Sequence, residues 1–135
     1  MNIAFFLIPK NELVYLPVNS TMRQALEKME YHRYTAVPLI DEHGKYAGTI
    51  TEGDLLWKMK NTPGLTFADT ERVMIKDIPW RMTNNSVRVD AEMEGLFSLA
   101  IGQNFVPVVD DSGIFIGIIR RREIIEHYAK KACEK

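Results

Sequence analysis

Apolar residues recur along the chain in two similar patterns. Two quartets at the spacing i, i+3, i+4, i+7 each predict the buried stripe of a short amphipathic helix: Met22, Ala25, Leu26 and Met29, then Met93, Leu96, Phe97 and Ala100. Each quartet precedes two short apolar strands joined by Asp-x-x-Gly. Glycine can adopt positive φ in such a connection and close a hairpin. A second helix follows, so the pattern predicts a β-α-β-β-α unit that occurs twice.

The expected elements occupy equivalent places in both copies. The predicted strands are 14–18, 36–40 and 46–50 in the first copy, and 87–89, 105–109 and 115–119 in the second. We expect one of residues 19–21 and, in the second copy, Asp90 to cap the first helix. Between the copies, Pro63 and Gly64 break the chain. Asp69 or Thr70 is expected to cap a short helix that ends at Met74.

Direct alignment of the chain with itself indicates a duplication. Residues 37–44 match residues 106–113 at an offset of 69 residues, whereas the first helices match at an offset of 71. The two extra residues of the first copy fall near 31–34. We predict an α+β fold with one repeat in residues 1–62, and a linker helix and second repeat in residues 63–135. Because about 60 residues form a marginal domain, the repeats are expected to pack as one pseudo-two-fold module.

Composition and charge narrow the class of protein. The 135 residues include 17 Lys and Arg against 18 Asp and Glu, a net charge of −1 that argues against a general nucleic-acid binder. The single cysteine, Cys133, excludes an internal disulfide framework and favours a reducing compartment. The longest apolar run, residues 3–8, is too short to span a bilayer and lacks the features of a signal peptide. We therefore expect a cytoplasmic globular protein that does not bind membranes.

The first candidate for chemistry is the start of the second helix in the first copy. Thr51-Glu52-Gly53-Asp54 precedes an apolar run, which is the signature of a capping box. Helix starts also attract phosphate, because their main-chain N–H groups and dipole favour negative charge. The two interpretations are compatible, since a ligand can use donors that the box leaves open.

The same place in the second copy has a different composition. Arg120-Arg121-Arg122-Glu123 stands where the first copy has Thr51 to Asp54, and Arg120 has no acceptor with which to cap a helix. Cations are disfavoured at the positive end of a helix dipole. Either solvent exposure or a bound anion would explain the arginines, and an anion would be met by both the guanidinium groups and the helix N–H groups.

Other kinds of site are weakly supported. His32, His43 and His127 show no metal-ligand spacing with Cys133, and the two later histidines are expected to be solvated. We find no G-x-S-x-G, H-E-x-x-H or Walker-type loop. Since nothing combines a nucleophile, a base and an orienting group, the sequence does not predict an enzyme.

The doubled pattern resembles a tandem pair of cystathionine-β-synthase-type (CBS) domains, also called a Bateman module. The motifs are Val37 to Asp41 with Gly48 to Asp54, and Val106 to Asp110 with Gly117 to Glu123, and the resemblance covers nearly the whole chain. It implies regulatory binding of an adenine-containing ligand, such as AMP, ADP, ATP, S-adenosylmethionine or cyclic di-AMP, with no further cofactor. It also implies two crossed clefts, each built from the helix start of one copy and the strand entrance of the other.

The resemblance assigns a set of residues to each cleft. In the first set, Asp54 would accept hydrogen bonds from ribose and Thr51 would contact phosphate or sugar, while backbone groups of Phe105 and Val106 would bind the adenine edge. The remaining members of the first set are Asn104 and the linker residues Lys76, Asp77 and Ile78. The second set comprises Arg120, Arg121 and Glu123 with Arg33, Tyr34, Thr35 and Ala36, beside Phe5 and Phe6. Its arginines suit a polyphosphate or a cyclic dinucleotide, and the chain is also similar to stand-alone bacterial CBS proteins that bind cyclic di-AMP.

Three functions follow from these residues. The first is a nucleotide sensor that signals to an unidentified partner protein, because a ligand can act only through different affinities for two states. Its expected homodimer contacts lie on the second helices: Leu55, Leu56, Trp57 and Met59, with Ile124, Ile125 and Tyr128. The second function is a protein-interaction module in which Thr51 and Asp54 only cap. The third, nucleic-acid binding through Arg120 to Arg122 and Lys130-Lys131, is disfavoured by the net charge.

Overall fold

The computed structural model describes residues 1–134, which form a mixed α+β fold with two separate sheets. The strands of these residues are β1 (Ile8–Pro9), β2 (Leu16–Pro17), β3 (Ala36–Ile40), β4 (Tyr46–Thr51), β5 (Val87–Arg88), β6 (Phe105–Val109) and β7 (Phe115–Arg120). The α-helices are α1 (Met22–His32), α2 (Glu52–Lys60), α3 (Phe97–Gly102) and α4 (Arg121–Cys133). None of these helices combines the length and the apolar character that a bilayer crossing requires.

The two hairpins are the best-matched parts of the copies. Strand β3 pairs antiparallel with β4, and β6 with β7, in the same register, so Val37 faces Ile50 as Val106 faces Ile119. Both hairpins also carry an irregularity after the fourth residue of the first strand. Strand β2 then adds parallel to β3, and β5 parallel to β6. The predicted strands and the offset of 69 residues are therefore confirmed within the hairpins.

Both hairpin turns use the same local chemistry. The Asp41 carboxylate accepts hydrogen bonds from the main-chain N–H groups of His43 and Lys45, each at 2.9 Å. Gly44 closes the turn at φ 82°, and Gly113 does so at φ 82° in the second copy. The Lys45 N–H, followed by the His43 N–H, lowers the pKa of Asp41 below its usual value. The Asp-x-x-Gly motif thus acts as a turn.

The described residues divide into two compact units that differ from the sequence repeats. The central unit is Val14–Thr83, and the terminal unit joins Met1–Leu13 to the described residues from Asn84 onward. Leu16, Met22, Val37, Ile50 and other buried side chains form the core of the central unit. A separate core, which includes Ile3, Met93, Val106, Ile119 and Ile124, fills the terminal unit. The repeat boundaries, 1–62 and 63–135, stay a prediction.

Each unit is completed by the segment that precedes the other repeat. In the central unit, Met22 N–H donates to Val73 O at 2.7 Å, and Ile75 N–H donates to Ser20 O at 2.9 Å. In the terminal unit, Met93 N–H donates to Met1 O at 2.9 Å, and Ile3 N–H donates to Ala91 O at 3.1 Å. The side chains of Ile75 and Ile3 are fully buried in their respective cores. The upstream segments therefore supply both hydrogen bonds and core side chains.

The first helices of the two copies differ more than their apolar patterns predict. Helix α1 begins with the predicted cap, because Thr21 and Gln24 exchange hydrogen bonds in a capping box. The expected cap at Asp90 is wrong: a 3-10 turn over Met93–Gly95 precedes α3, and neither has a side-chain cap. The main-chain oxygen of Met1 accepts from the N–H of Met93 in the first turn instead.

Three other expectations need correction. The two extra residues of the first copy do not form a loop but lengthen α1. The C-terminal cap of α1 is Arg33, which has the left-handed conformation with φ 61°. The linker contains two 3-10 turns, Ala68–Glu71 and Ile75–Asp77, and Met74 lies between them in extended backbone. Thr66, rather than Thr70, exchanges hydrogen bonds with Asp69. The first strands are two residues each because β2 and β5 pair only at Leu39 and Ile40, and at Val108 and Val109.

Gly117 offers a test of the docking of the N-terminal segment. A Cβ at Gly117 would lie 2.2 Å from Ile8 O and 2.8 Å from a Leu7 methyl, so Gly117→Ala must displace β1. We expect Gly117→Ala to lower the free energy of unfolding by about 1–3 kcal/mol in urea titrations, as overpacking does. Gly102→Ala is the control, because a Cβ there would meet no described atom within 4 Å apart from its chain neighbours and the backbone of its own helix. Equal stability of the two variants would contradict the tight β1 contact.

Candidate functional site

The start of α2 is a complete capping box. Thr51 Oγ1 accepts from Asp54 N–H at 3.1 Å, and Asp54 Oδ2 accepts from Thr51 N–H at 3.0 Å. This geometry confirms the capping prediction. It forms because Thr51 ends β4 in extended backbone and Asp54 is the third residue of the helix.

Asp54 also holds the linker of the central unit. Its side chain is buried, with 2% of the residue exposed, and its second oxygen, Oδ1, accepts from Arg81 N–H at 3.1 Å. Both carboxylate oxygens therefore accept main-chain hydrogen bonds. Among the linker residues assigned to the first set, Ile78 packs in the core, while Lys76 and Asp77 are exposed.

The strand entrance of the first copy, residues 33–36 at the beginning of β3, lies beside this helix start. Glu52 N–H donates to Thr35 O at 3.0 Å, and Ala36 faces Thr51 in the hairpin register. Arg33, Tyr34 and Thr35 are exposed, and the Tyr34 ring stacks on the His32 ring with centroids 5.5 Å apart. The central unit thus groups Arg33 to Ala36 with the beginning of α2.

The start of α4 is held by ion pairs in place of a capping box. Arg120 has no side-chain cap bond, as predicted. Its guanidinium instead binds the Glu123 carboxylate, with Nε at 3.0 and 3.1 Å from the two oxygens. Arg122 Nε donates to Glu126 at 3.0 Å. The positive charge of this helix start is therefore partly balanced by carboxylates of the same helix.

Arg121 is tied to the second strand entrance by its backbone and its side chain. Arg121 N–H donates to Asn104 O at 3.0 Å, the counterpart of the Glu52 bond to Thr35, and Arg121 Nε donates to Gln103 O at 2.9 Å. The side chains of Phe105 and Val106 are buried in the terminal unit. The Asn104 amide oxygen is buried and has no hydrogen-bond partner among the described residues.

Gln103 is a polar residue of this region that the sequence reasoning missed. Its buried side-chain amide accepts from Asn85 N–H at 2.9 Å and donates to Asn85 O at 3.2 Å and to Phe105 O at 3.1 Å. The aligned residue of the first copy is Tyr34. The sequence signal for this residue is a glutamine in an otherwise apolar stretch, aligned with a tyrosine in the other repeat.

One charged cluster of the terminal unit, centred on Glu94, lies outside these positions. His127 is mostly buried, because its ring contacts Phe6 and Glu94, so the expectation that it is solvated was wrong. A hydrogen bond from Lys131, the leading cause, holds the pKa of Glu94 well below its usual range. In residues 1–134, no three His, Cys, Asp or Glu side chains are placed to hold a metal ion.

The helix faces expected at a dimer contact are only partly exposed. Leu55 and Ile124 are buried in their cores, so they are corrected to structural residues. Leu56, Trp57, Met59 and Ile125 are exposed. A groove of about 530 Å³ lies between α1 and α2, with Leu26, Met29, Leu55, Leu56 and Met59 along its apolar walls.

A family model and known proteins were compared with the chain. The model "CBS domain" matches twice, at residues 7–61 and 72–130. The chain belongs to the CBS domain family. Among curated CBS proteins, it is 26% identical to Cyclic di-AMP receptor B of Bacillus subtilis (strain 168), over 93% of this chain and 84% of that protein. Three larger enzymes also match, but this chain covers only 19%, 20% and 22% of their length.

Solved CBS structures share the fold. The complex of CbpB with c-di-AMP has a TM-score of 0.82 at 19% identity, covering 99% of this chain and 88% of CbpB. The complex of CBSX2 with AMP has a TM-score of 0.75 at 22% identity, covering 97% of this chain and 98% of CBSX2. The predicted α+β CBS pair is therefore confirmed at the level of the fold.

The capping box yields a prediction about stability. Thr51→Ala removes one cap and should cost about 1 kcal/mol of unfolding free energy. Asp54→Ala leaves the N–H groups of Thr51 and Arg81 without their charged acceptor, so its cost should reach about 2–3 kcal/mol. Glu52→Ala, in the same turn but exposed, should stay within about 0.5 kcal/mol. Urea unfolding measures all three, and an Asp54→Ala loss no larger than that of Glu52→Ala would contradict the structural role of the carboxylate.

Proposed function

We propose that this CBS pair is a stand-alone regulatory module that binds an adenine nucleotide, AMP, ADP, ATP or c-di-AMP, and signals its presence to a partner protein. The observation that carries the proposal is the match to Cyclic di-AMP receptor B, which extends over 93% of this chain and therefore spans both repeats. Structures of similar fold contain c-di-AMP or AMP. The nucleotide is the regulatory ligand, and no other cofactor is required.

The ligand-binding residues belong to one of two sets. The first set is Thr51, Asp54, Lys76, Ile78, Asn104, Phe105 and Val106. The second set is Arg33, Tyr34, Thr35, Ala36, Arg120, Arg121 and Glu123. Arginine supports the second set, because guanidinium groups bind phosphate through paired, charge-assisted hydrogen bonds.

The accessible charge also supports the second set. The Arg120 side chain is 50% exposed, and that of its partner Glu123 is 18% exposed, whereas Asp54 is buried under the linker. A phosphate could compete with Glu123 for Arg120 at the helix start, where the dipole favours an anion. Arg33, Tyr34 and Thr35 add exposed cationic, aromatic and hydroxyl groups to the set.

A second candidate function is a protein-interaction module without a nucleotide. It is favoured by Asp54, whose two oxygens each hold a main-chain N–H group, and by the pairing of Arg120 with Glu123. In that case both helix starts would be purely structural. Nucleic-acid binding receives less support, because the net charge of −1 argues against a general polyanion binder.

We further propose that the module is not an enzyme, that it acts in the cytoplasm and that it forms a homodimer. The single cysteine supports a reducing compartment. The exposed Leu56, Met59 and Ile125 support burial of the helix faces between two copies, which light scattering on the purified chain measures directly. The protein target is unidentified.

A thermal-shift panel tests nucleotide binding. The chain is melted with AMP, ADP, ATP, S-adenosylmethionine and c-di-AMP, and a ligand at 100 times its Kd should add about 2.7 kcal/mol of apparent stability. Arg121→Ala should raise the ligand concentration needed for the same shift in melting temperature by about tenfold or more, because a charge-assisted contact to phosphate is lost. Arg122→Ala, one residue along and paired with Glu126, should keep the full shift.

Two outcomes would change the assignment. If no adenine nucleotide raises the melting temperature of the chain at millimolar concentration, the nucleotide proposal fails and the interaction module takes its place. If Arg121→Ala keeps the shift while Asp54→Asn abolishes it, the ligand belongs to the first set. A stability control in the absence of ligand separates lost binding from lost folding for each variant.

A further inference from the structure

Gln103 distinguishes two strand entrances that are otherwise built alike. In each hairpin, the residue before the strand accepts from the first residue of the following helix: Thr35 O from Glu52 N–H, and Asn104 O from Arg121 N–H, both at 3.0 Å. Hydrogen-bonded and non-hydrogen-bonded pairs alternate along an antiparallel ladder. The next pairs, Ala36 with Thr51 and Phe105 with Arg120, are therefore non-hydrogen-bonded.

This alternation leaves the first residue of β3 and the first residue of β6 with main-chain polar groups that face away from the hairpin partner. The N–H and C=O of Ala36 point away from β4, and those of Phe105 point away from β7. On that side, the neighbouring strands β2 and β5 begin pairing only three residues later, at Leu39 and Val108. Each entrance thus offers one donor and one acceptor, which match the ring nitrogen and the amino group on the edge of adenine.

The two entrances differ in what covers them. At Phe105, the Gln103 side chain donates to the carbonyl at 3.1 Å and is itself fixed by two hydrogen bonds to Asn85. The residue is 4% exposed, so its amide is part of the packed terminal unit. At Ala36, the aligned residue is Tyr34, which is 44% exposed and whose ring stacks on His32. A tyrosine ring has no amide with which to close the edge, and it provides a surface on which a base can stack.

We propose that Gln103 is a specificity-determining residue that closes the Phe105 entrance to adenine, so that each chain binds one adenine base, at the Ala36 entrance beside Tyr34. This inference rests on the proposed nucleotide binding and assigns it to the second set of residues. The buried carboxylate of Asp54 agrees with it, because the residue is 2% exposed and each of its oxygens already holds a main-chain N–H group. Gln103 acts by covering the Phe105 carbonyl with a buried amide that Asn85 holds in place, and it does not itself contact the ligand.

Amide chemical shifts in the full, ¹⁵N-labelled chain test the proposal. AMP and c-di-AMP are titrated separately, and the Ala36 amide should shift with ligand while the Phe105 amide stays in place. Tyr34→Ala should weaken binding about tenfold or more through the lost stacking. Gln103→Ala should make the Phe105 amide respond to AMP. If this variant does not fold, the comparison of the Ala36 and Phe105 amides in the wild-type chain tests the proposal by itself.

The outcomes separate this inference from the nucleotide proposal. Binding in which the Phe105 and Ala36 amides respond alike, or in which only the Phe105 amide responds, would overturn the role of Gln103 and leave nucleotide binding intact. A spectrum that neither ligand changes at any residue would overturn both. Tyr31→Ala serves as the matched control for Tyr34→Ala, because Tyr31 is a more exposed tyrosine on α1, and its loss should leave the affinity unchanged.

Discussion

The structure depends on main-chain hydrogen bonds that complete each repeat with the segment preceding the other one. Val73 O binds the N–H of Met22 in the central unit, and Met1 O binds the N–H of Met93 in the terminal unit. A repeat of about 60 residues has only a marginal core when it is alone. The added segments bring Ile75 and Ile3 into the two cores, so each core includes side chains from beyond its own helices and hairpin.

The two repeats share the same hairpin backbone, and they differ at a few polar side chains. The hairpins agree in register, turn and irregularity, which fixes the same main-chain geometry at both strand entrances. Thr51 and Asp54 then form a capping box, whereas Arg120 and Glu123 form an ion pair at the equivalent place. Tyr34 is exposed where Gln103 is buried and fully bonded. Duplication followed by change at these positions gives two entrances with unequal chemistry.

Local patterns were sufficient to predict the hairpins, the second helices and the Thr51 capping box. Short apolar runs joined by Asp-x-x-Gly are decided within a few residues of the chain, and β3 and β6 have the bounds that these patterns predict. Long-range contacts were not predictable in the same way. Asp90 is not a cap because Met1, far away in sequence, binds the first-turn donor. The role of Gln103 also depends on Asn85, 18 residues away, which no local spacing reveals.

The proposed binding of an adenine nucleotide and the inequality of the two strand entrances can be measured together. Isothermal titration calorimetry of the full chain tests both parts most directly, because it measures the number of ligands as well as their affinity. We expect one molecule of AMP for each chain, because AMP carries a single adenine. Two equivalent sites in each chain would contradict the closure by Gln103, and the absence of binding by any adenine nucleotide would contradict the function.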